Sequence, residues 1–180
     1  MRIVVAIALC AGCSREASPP TAGSVASLAV TSSSFSAGGP IPARHTCEGE
    51  DSAPSLAWSG APAATKSFVV IVDDPDAPDP AAPKMTWVHW VVYDLPAATT
   101  ALGDGPAPPG ARVGQSDFKA ARYNGPCPPI GRHRYFHKVY ALDTVLGDLG
   151  AATKADVEKA MAGHVVAKGE IVGTYEKTKK

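Results

Sequence analysis

The apolar residues of this chain fall mostly at strand spacing. Phe68, Val69, Val70, Ile71 and Val72 make an unbroken run, and Val88 to Tyr93 makes a second one that contains a single histidine, His89. β-branched and aromatic residues favour pleated, half-buried surfaces, so both runs read as strands. Between them lies Asp73-Asp74-Pro75-Asp76-Ala77-Pro78, the start of an acidic corner. The prolines Pro75, Pro78, Pro80 and Pro83 forbid helix and stiffen that corner. A third run alternates. His133, Tyr135, His137, Val139 and Ala141 share one strand face, and Arg134, Phe136, Lys138, Tyr140 and Leu142 share the other. His133 and Tyr135 therefore point the same way at the start of this strand.

Shorter strands are predicted within Val25 to Phe35, over Leu56 to Trp58 and over Glu170 to Tyr175. One helix stands out. Thr153 followed by Asp156 makes a capping-box start. Val157, Ala160, Met161, His164 and Val165 then recur at helical spacing, which predicts a helix from about Lys154 to Gly163 with His164 on its apolar side. Residues 97–114 show little periodicity and read as a surface loop. No internal repeat is visible.

Composition narrows the picture. The chain has 180 residues, enough for one domain with a core. With 17 Gly and 17 Pro, turns and short strands are favoured over long helices. Lys and Arg total 17 against 17 Asp and Glu, so the basic footprint of a nucleic-acid binder is missing.

The N-terminus reads as an address. Arg2 precedes the apolar run Ile3 to Leu9, which is too short to span a bilayer. Cys10-Ala11-Gly12-Cys13 follows, and it resembles the end of a bacterial lipoprotein signal, with Cys10 where a leucine is usual. The expectation is a signal segment over 1–12 and a lipid-modified Cys13. A Ser/Ala/Pro-rich tether over 13–27 and a folded domain over 28–180 would follow. The mature protein is then exported and lipid-anchored on the periplasmic side of a bacterial cell envelope.

The candidate chemistry lies in two places. The acidic corner leads to His89. The loop Gly125-Pro126-Cys127-Pro128-Pro129 leads to His133-Arg134-Tyr135. The cluster Asp73, Asp74, Asp76 and Asp79 lacks the Gly and terminal Glu of a calcium loop, and the prolines spoil its spacing. His45, His137 and His164 read as structural or surface residues, and Trp58, Trp87 and Trp90 as core. Cys47 and Cys127 have no zinc-ligand spacing. In an exported chain they either pair or remain two buried thiols.

At Asp74-Pro75-Asp76-Ala77-Pro78, His89-Trp90, Gly125 to Pro129 and His133-Arg134-Tyr135 the chain resembles the phosphatidylethanolamine-binding protein family. It is most similar to the bacterial, Raf kinase inhibitor-like branch. Thr46 to Asp51, Tyr140 to Asp143 and Gly173-Thr174-Tyr175 support that branch. The resemblance implies a mainly β fold: an antiparallel β-sandwich of a large and a smaller sheet with few peripheral helices. It implies a small anion pocket taking a phosphate-bearing small molecule or a phospholipid headgroup. The pocket residues carried over are Asp74, Asp76, Pro78, His89, Gly125, Pro128, His133 and Tyr135. The same layout brings the loops of Cys47 and Cys127 together, so a disulfide between them is expected.

Phosphate needs donors and positive charge, which protonated His89 and His133 supply and the Tyr135 hydroxyl supplements. Backbone N–H groups near Gly125 and Cys127 add further donors. Asp74 then orients an imidazole rather than touching the anion. The leading expectation is a non-enzymatic binding protein, with no cofactor and no metal, that binds such phosphate-bearing heads or acts as a modulator or inhibitor of a partner protein. The alternatives are an exported protease inhibitor and a hydrolase using His89, His133 and Asp74. No Gly-x-Ser-x-Gly elbow is present to support the latter.

Overall fold

A computed structural model describes residues 25–103 and 105–178. The strands are β1 (Ala26–Ser27), β2 (Ala29–Thr31), β3 (Leu56–Ser59), β4 (Ser67–Ala77), β5 (Met85–Pro96), β6 (Ala101–Leu102), β7 (Arg112–Val113), β8 (Arg132–Leu142) and β9 (Val165–Glu176). The one α-helix among the described residues, α1 (Lys154–Ala160), lies between β8 and β9. Six strands form a sheet in the order β1-β9-β8-β4-β5-β7, and three form a second in the order β2-β3-β6. All named strands pair antiparallel except β1 with β9. The chain thus forms the mainly β sandwich, a large and a smaller sheet, that the resemblance implies.

The unbroken apolar run of β4 has a simple cause. Phe68, Val70 and Val72 pack into one core with Leu56 and Trp58 of the smaller sheet. Val69 and Ile71 pack into a second core with Val157 and Met161 at α1. Both faces of β4 are covered, so neither parity can be polar. β8 is covered unequally, and alternation survives there: His133, Tyr135, His137, Val139 and Ala141 are all buried, while Arg134 is exposed and Phe136, Lys138 and Tyr140 are half-buried.

Several elements differ in extent from the sequence reading. The strand β4 continues through the acidic corner to Ala77 instead of stopping at Val72. Its ladder to β5 carries irregularities that absorb the prolines. The region from Val25 to Phe35 holds two short strands, with β1 pairing to β9 and β2 to β3. The 97–114 segment contributes β6 and β7 as edge strands. The helix ends at Ala160, and Gly163, at φ 82°, turns the chain into β9. His164 is therefore not on a helix face. It is half-exposed, and its Nδ1 lies 2.9 Å from Oδ1 of Asp143. The signal segment, most of the tether, and Cys13 fall outside the described residues.

Candidate functional site

One end of the large sheet, where β4 finishes and β5 and β8 begin, encloses a cavity of about 390 Å³. Its lining includes Asp74, Pro78, His89, Pro128, His133 and Tyr135, all named from sequence. Its apolar wall adds Met85, Trp87, Phe118 and Pro129.

A β-bulge brings His89 there. Val72 pairs with Trp90 and the next residue, Asp73, pairs with Val88, so β5 has one residue more than β4 at this point. Trp90 and Val92 face the inter-sheet core, while Val88 and Val91 face the helix side. His89 is the inserted residue, and its ring lies edge-on to Tyr135 of β8 at 5.2 Å. Re-aiming one side chain in this way is a recurrent use of bulges beside sites. Nδ1 of His89 donates to the carbonyl of Asn124 at 2.7 Å. That fixes the tautomer and leaves Nε2 without a protein partner. Burial pushes the His89 pKa down, and the Asn124 carbonyl and Asp74 only partly offset this.

His133 is held differently. Its Nδ1 lies 2.7 Å from Oδ2 of Asp74, and its Nε2 lies 3.0 Å from the carbonyl of Ile130. The Asp74 carboxylate is fixed in turn, because Oδ1 accepts the Asp76 N–H at 2.8 Å. Asp74 therefore orients an imidazole, as its place in the sequence implies, but both nitrogens of that imidazole already face protein acceptors. Tyr135 lies between the two histidines, and its ring is stacked on His133 at a 6.5 Å centroid distance. Its hydroxyl is buried with no partner, and burial raises its pKa so that it stays protonated.

Two of the expected pocket residues are placed outside the lining. Asp76 turns to Arg134, accepting its backbone N–H and its guanidinium at 2.7–2.9 Å. The Arg134 side-chain hydrogen bonds hold the Asp76 carboxyl below the usual carboxylate range. Gly125 buttresses the site from behind. Its N–H donates to Oδ1 of Asp51 at 2.6 Å, so that donor is not free for an anion. A Cβ at Gly125 would stand 2.3 Å from the His45 carbonyl oxygen, which is why the position has no side chain. Cys47 and Cys127 form a disulfide with Cα atoms 5.4 Å apart, tying the 45–52 loop to the cavity wall. The remaining acidic residue of the cluster core, Asp73, is paired with Lys138 and Lys154 on the helix side, each at 2.8 Å.

Other residues settle as structure. His45 is buried with Nδ1 2.9 Å from the Ser52 carbonyl. His137 is buried against Phe35. Trp58 and Trp90 are core. Trp87 is not: it is half-buried at the cavity wall, edge-on to Phe118 at 5.5 Å. Sequence reasoning missed Phe118, whose one signal is its isolation as an aromatic in the polar stretch Gln115 to Ala121. It also missed Met85, which sits at the end of the proline-rich crossing.

Fold and site together define a β-sandwich with a cavity at one end, floored by a His–Asp pair. The family model for phosphatidylethanolamine-binding protein matches residues 31–176. A UPF0098 protein of Methanothermobacter thermautotrophicus is 43% identical over 148 residues, covering 79% of this chain and 95% of its own length. One from Chlamydia trachomatis is 41% identical, covering 83% of this chain and 99% of its own. The crystal structure of a phosphatidylethanolamine-binding protein homologue from Chlamydia trachomatis superposes with a TM-score of 0.78 at 40% identity, covering 84% of this chain and 98% of its own. The crystal structure of Escherichia coli YBCL, a new member of the mammalian phosphatidylethanolamine-binding protein family, gives 0.75 at 37% identity, covering 85% of this chain and all of its own. The chain belongs to the phosphatidylethanolamine-binding protein family, and its similarity to these prokaryotic proteins is consistent with the bacterial branch.

Proposed function

We propose that this protein is a non-enzymatic binding protein whose end cavity takes a phosphate-type head, on a small molecule or a phospholipid. One observation carries the reading. Nε2 of His89 and the Tyr135 hydroxyl are buried polar atoms without protein partners, and both residues line one cavity. Unsatisfied buried polar groups cost free energy, so two of them beside a cavity call for a ligand. His133 and Asp74 are the rigid wall that sets their spacing. The described residues lining the cavity include no Ser, Thr or Lys, and its cysteine is in a disulfide, so the Ser-, Thr-, Lys- and Cys-based routes to a covalent hydrolytic intermediate have no nucleophile there.

Titration calorimetry with phosphoethanolamine between about pH 5.5 and about pH 8 brackets the histidine and phosphate ionisations. Binding is expected to strengthen toward the acid end and to weaken roughly 10- to 100-fold in His89→Ala. No binding by the wild type at any pH in this range refutes the reading. Export and lipid attachment at Cys13 belong to the same proposal, resting on the Ala11-Gly12-Cys13 ending. The intact mass of the protein from its bacterial host, with acyl chains or without, decides it.

A further inference from the structure

An anion site is expected to offer cations, and this cavity has none to spare. Among the described residues lining it there is no Lys or Arg. His133 is fully occupied: its Nδ1 faces Asp74 and its Nε2 faces the Ile130 carbonyl. Asp74 adds negative charge to the floor. His89 carries its proton on Nδ1, toward Asn124, so the nitrogen left for a ligand is a lone pair. The groups packed around His89 are Asp73 and Asp74 on β4, Tyr135 and His137 on β8, Phe118, and the backbone of Asn124 and Gly125. None of them is a cation that would favour a bare dianion. The floor therefore presents one acceptor, Nε2 of His89, and one hydroxyl, that of Tyr135, between apolar walls.

We propose that the cavity selects an anionic head that brings its own hydrogen-bond donor, placing that donor on Nε2 of His89 while the Tyr135 hydroxyl donates to an anionic oxygen. The inference rests on the anion-binding reading above and adds a chemical requirement to it. A phosphomonoester in its singly protonated form meets the requirement with its P–OH, since its second ionisation lies near about pH 6. An ethanolamine phosphodiester meets it with its ammonium. A sulfate monoester has no acidic proton near neutrality and no N–H, and a choline phosphodiester likewise has no donor. Leaving a buried acceptor unpaired is the penalty that rejects the last two.

Calorimetry with the full chain tests this with four probes: phenyl phosphate, phenyl sulfate, and short-chain phosphatidylethanolamine and phosphatidylcholine kept below micelle formation. At about pH 6, where half of a phosphomonoester is singly protonated, phenyl phosphate is expected to bind at least about 10-fold more tightly than phenyl sulfate. Its affinity is expected to fall as pH rises to about 8 and the ligand loses its proton. Binding of the ethanolamine lipid but not the choline lipid identifies a lipid head as the source, and binding of phenyl phosphate alone identifies a free monoester; either supports the requirement. Equal binding of phenyl phosphate and phenyl sulfate, or of the two lipids, overturns the inference but leaves the anion site standing. Binding of none of the four overturns both. In His89→Gln, whose amide donates as well as accepts, the phosphate-over-sulfate preference is expected to shrink. A preference unchanged in a folded His89→Gln also overturns the assignment to Nε2.

Discussion

Oδ2 of Asp74 and Nδ1 of His133 stand 2.7 Å apart, joining the end of β4 to the start of β8 across 59 residues of sequence. Both side chains are nearly inaccessible to water. At this burial a charge-assisted hydrogen bond is strong, and removing one partner strands the other. The pair works as a fixed strut beneath Tyr135.

Asp74→Asn tests the strut. The amide retains a hydrogen-bonding oxygen but loses the charge, and a loss of about 2 kcal/mol in unfolding free energy is expected. Urea denaturation measures it. Stability equal to the wild type would show that the carboxylate charge contributes nothing.

Tyr135→Phe should separate binding from stability. The hydroxyl is buried with no partner, so its removal spares a desolvation penalty, and the variant is expected to be as stable as the wild type or about 1 kcal/mol more stable. Affinity for phosphoethanolamine should nonetheless fall about 10-fold. A variant that loses stability while binding normally contradicts the assignment of the hydroxyl to the ligand.

Reduction of the Cys47–Cys127 bond opens a loop spanning 80 residues in sequence. Chain-entropy reasoning assigns such a closure up to about 4 kcal/mol. Thermal melts of the wild type with and without reductant, and of the Cys47→Ser/Cys127→Ser variant, should show matching drops in Tm. An unchanged Tm in both contradicts the expectation.

Acid should destabilise the fold through His137. The ring is buried, its Nε2 has no hydrogen-bond partner, and burial pushes its pKa to about 4. An unfolded histidine titrates near about 6.5. Between those values the unfolded chain binds the extra proton, so stability rises with pH across the window and is lost as pH falls from about 6.5 to about 4. The full loss amounts to about 3 kcal/mol. His89, also depressed by burial, acts with the same sign. Denaturant melts at about pH 4 and about pH 7 should differ less in His137→Leu than in the wild type, since that variant has no ring to protonate. The same pH slope in both proteins would argue against His137 as the source.

Much of the fold is legible in local pattern. Alternation from His133 to Ala141 reads correctly as a strand with two distinct faces, and the fold buries the face that carries His133. The continuous run Phe68 to Val72 reads correctly as a strand, and the fold shows that both of its faces are covered. The Thr153–Asp156 capping box marks the true start of α1. These signals are short-range and depend on side-chain direction along one element. Six of the eight expected pocket residues line the cavity for a related reason: motif residues sit at strand ends, and strand ends converge.

Long-range partners decide the rest. Asp74 and Asp76 look alike in sequence, yet one carboxylate meets His133 and the other meets Arg134, because β8 offers these two side chains on opposite faces. His89 reaches the cavity through a bulge set by how β5 registers against β4, and no residue in Val88 to Tyr93 announces an insertion. Phe118 becomes wall because the folded chain brings its ring against Trp87 and His89 of β5. The protonation pattern of the floor is decided last, by the Asn124 and Ile130 carbonyls. Backbone acceptors are the same in every residue, so only the folded path of the chain selects which of them meets an imidazole.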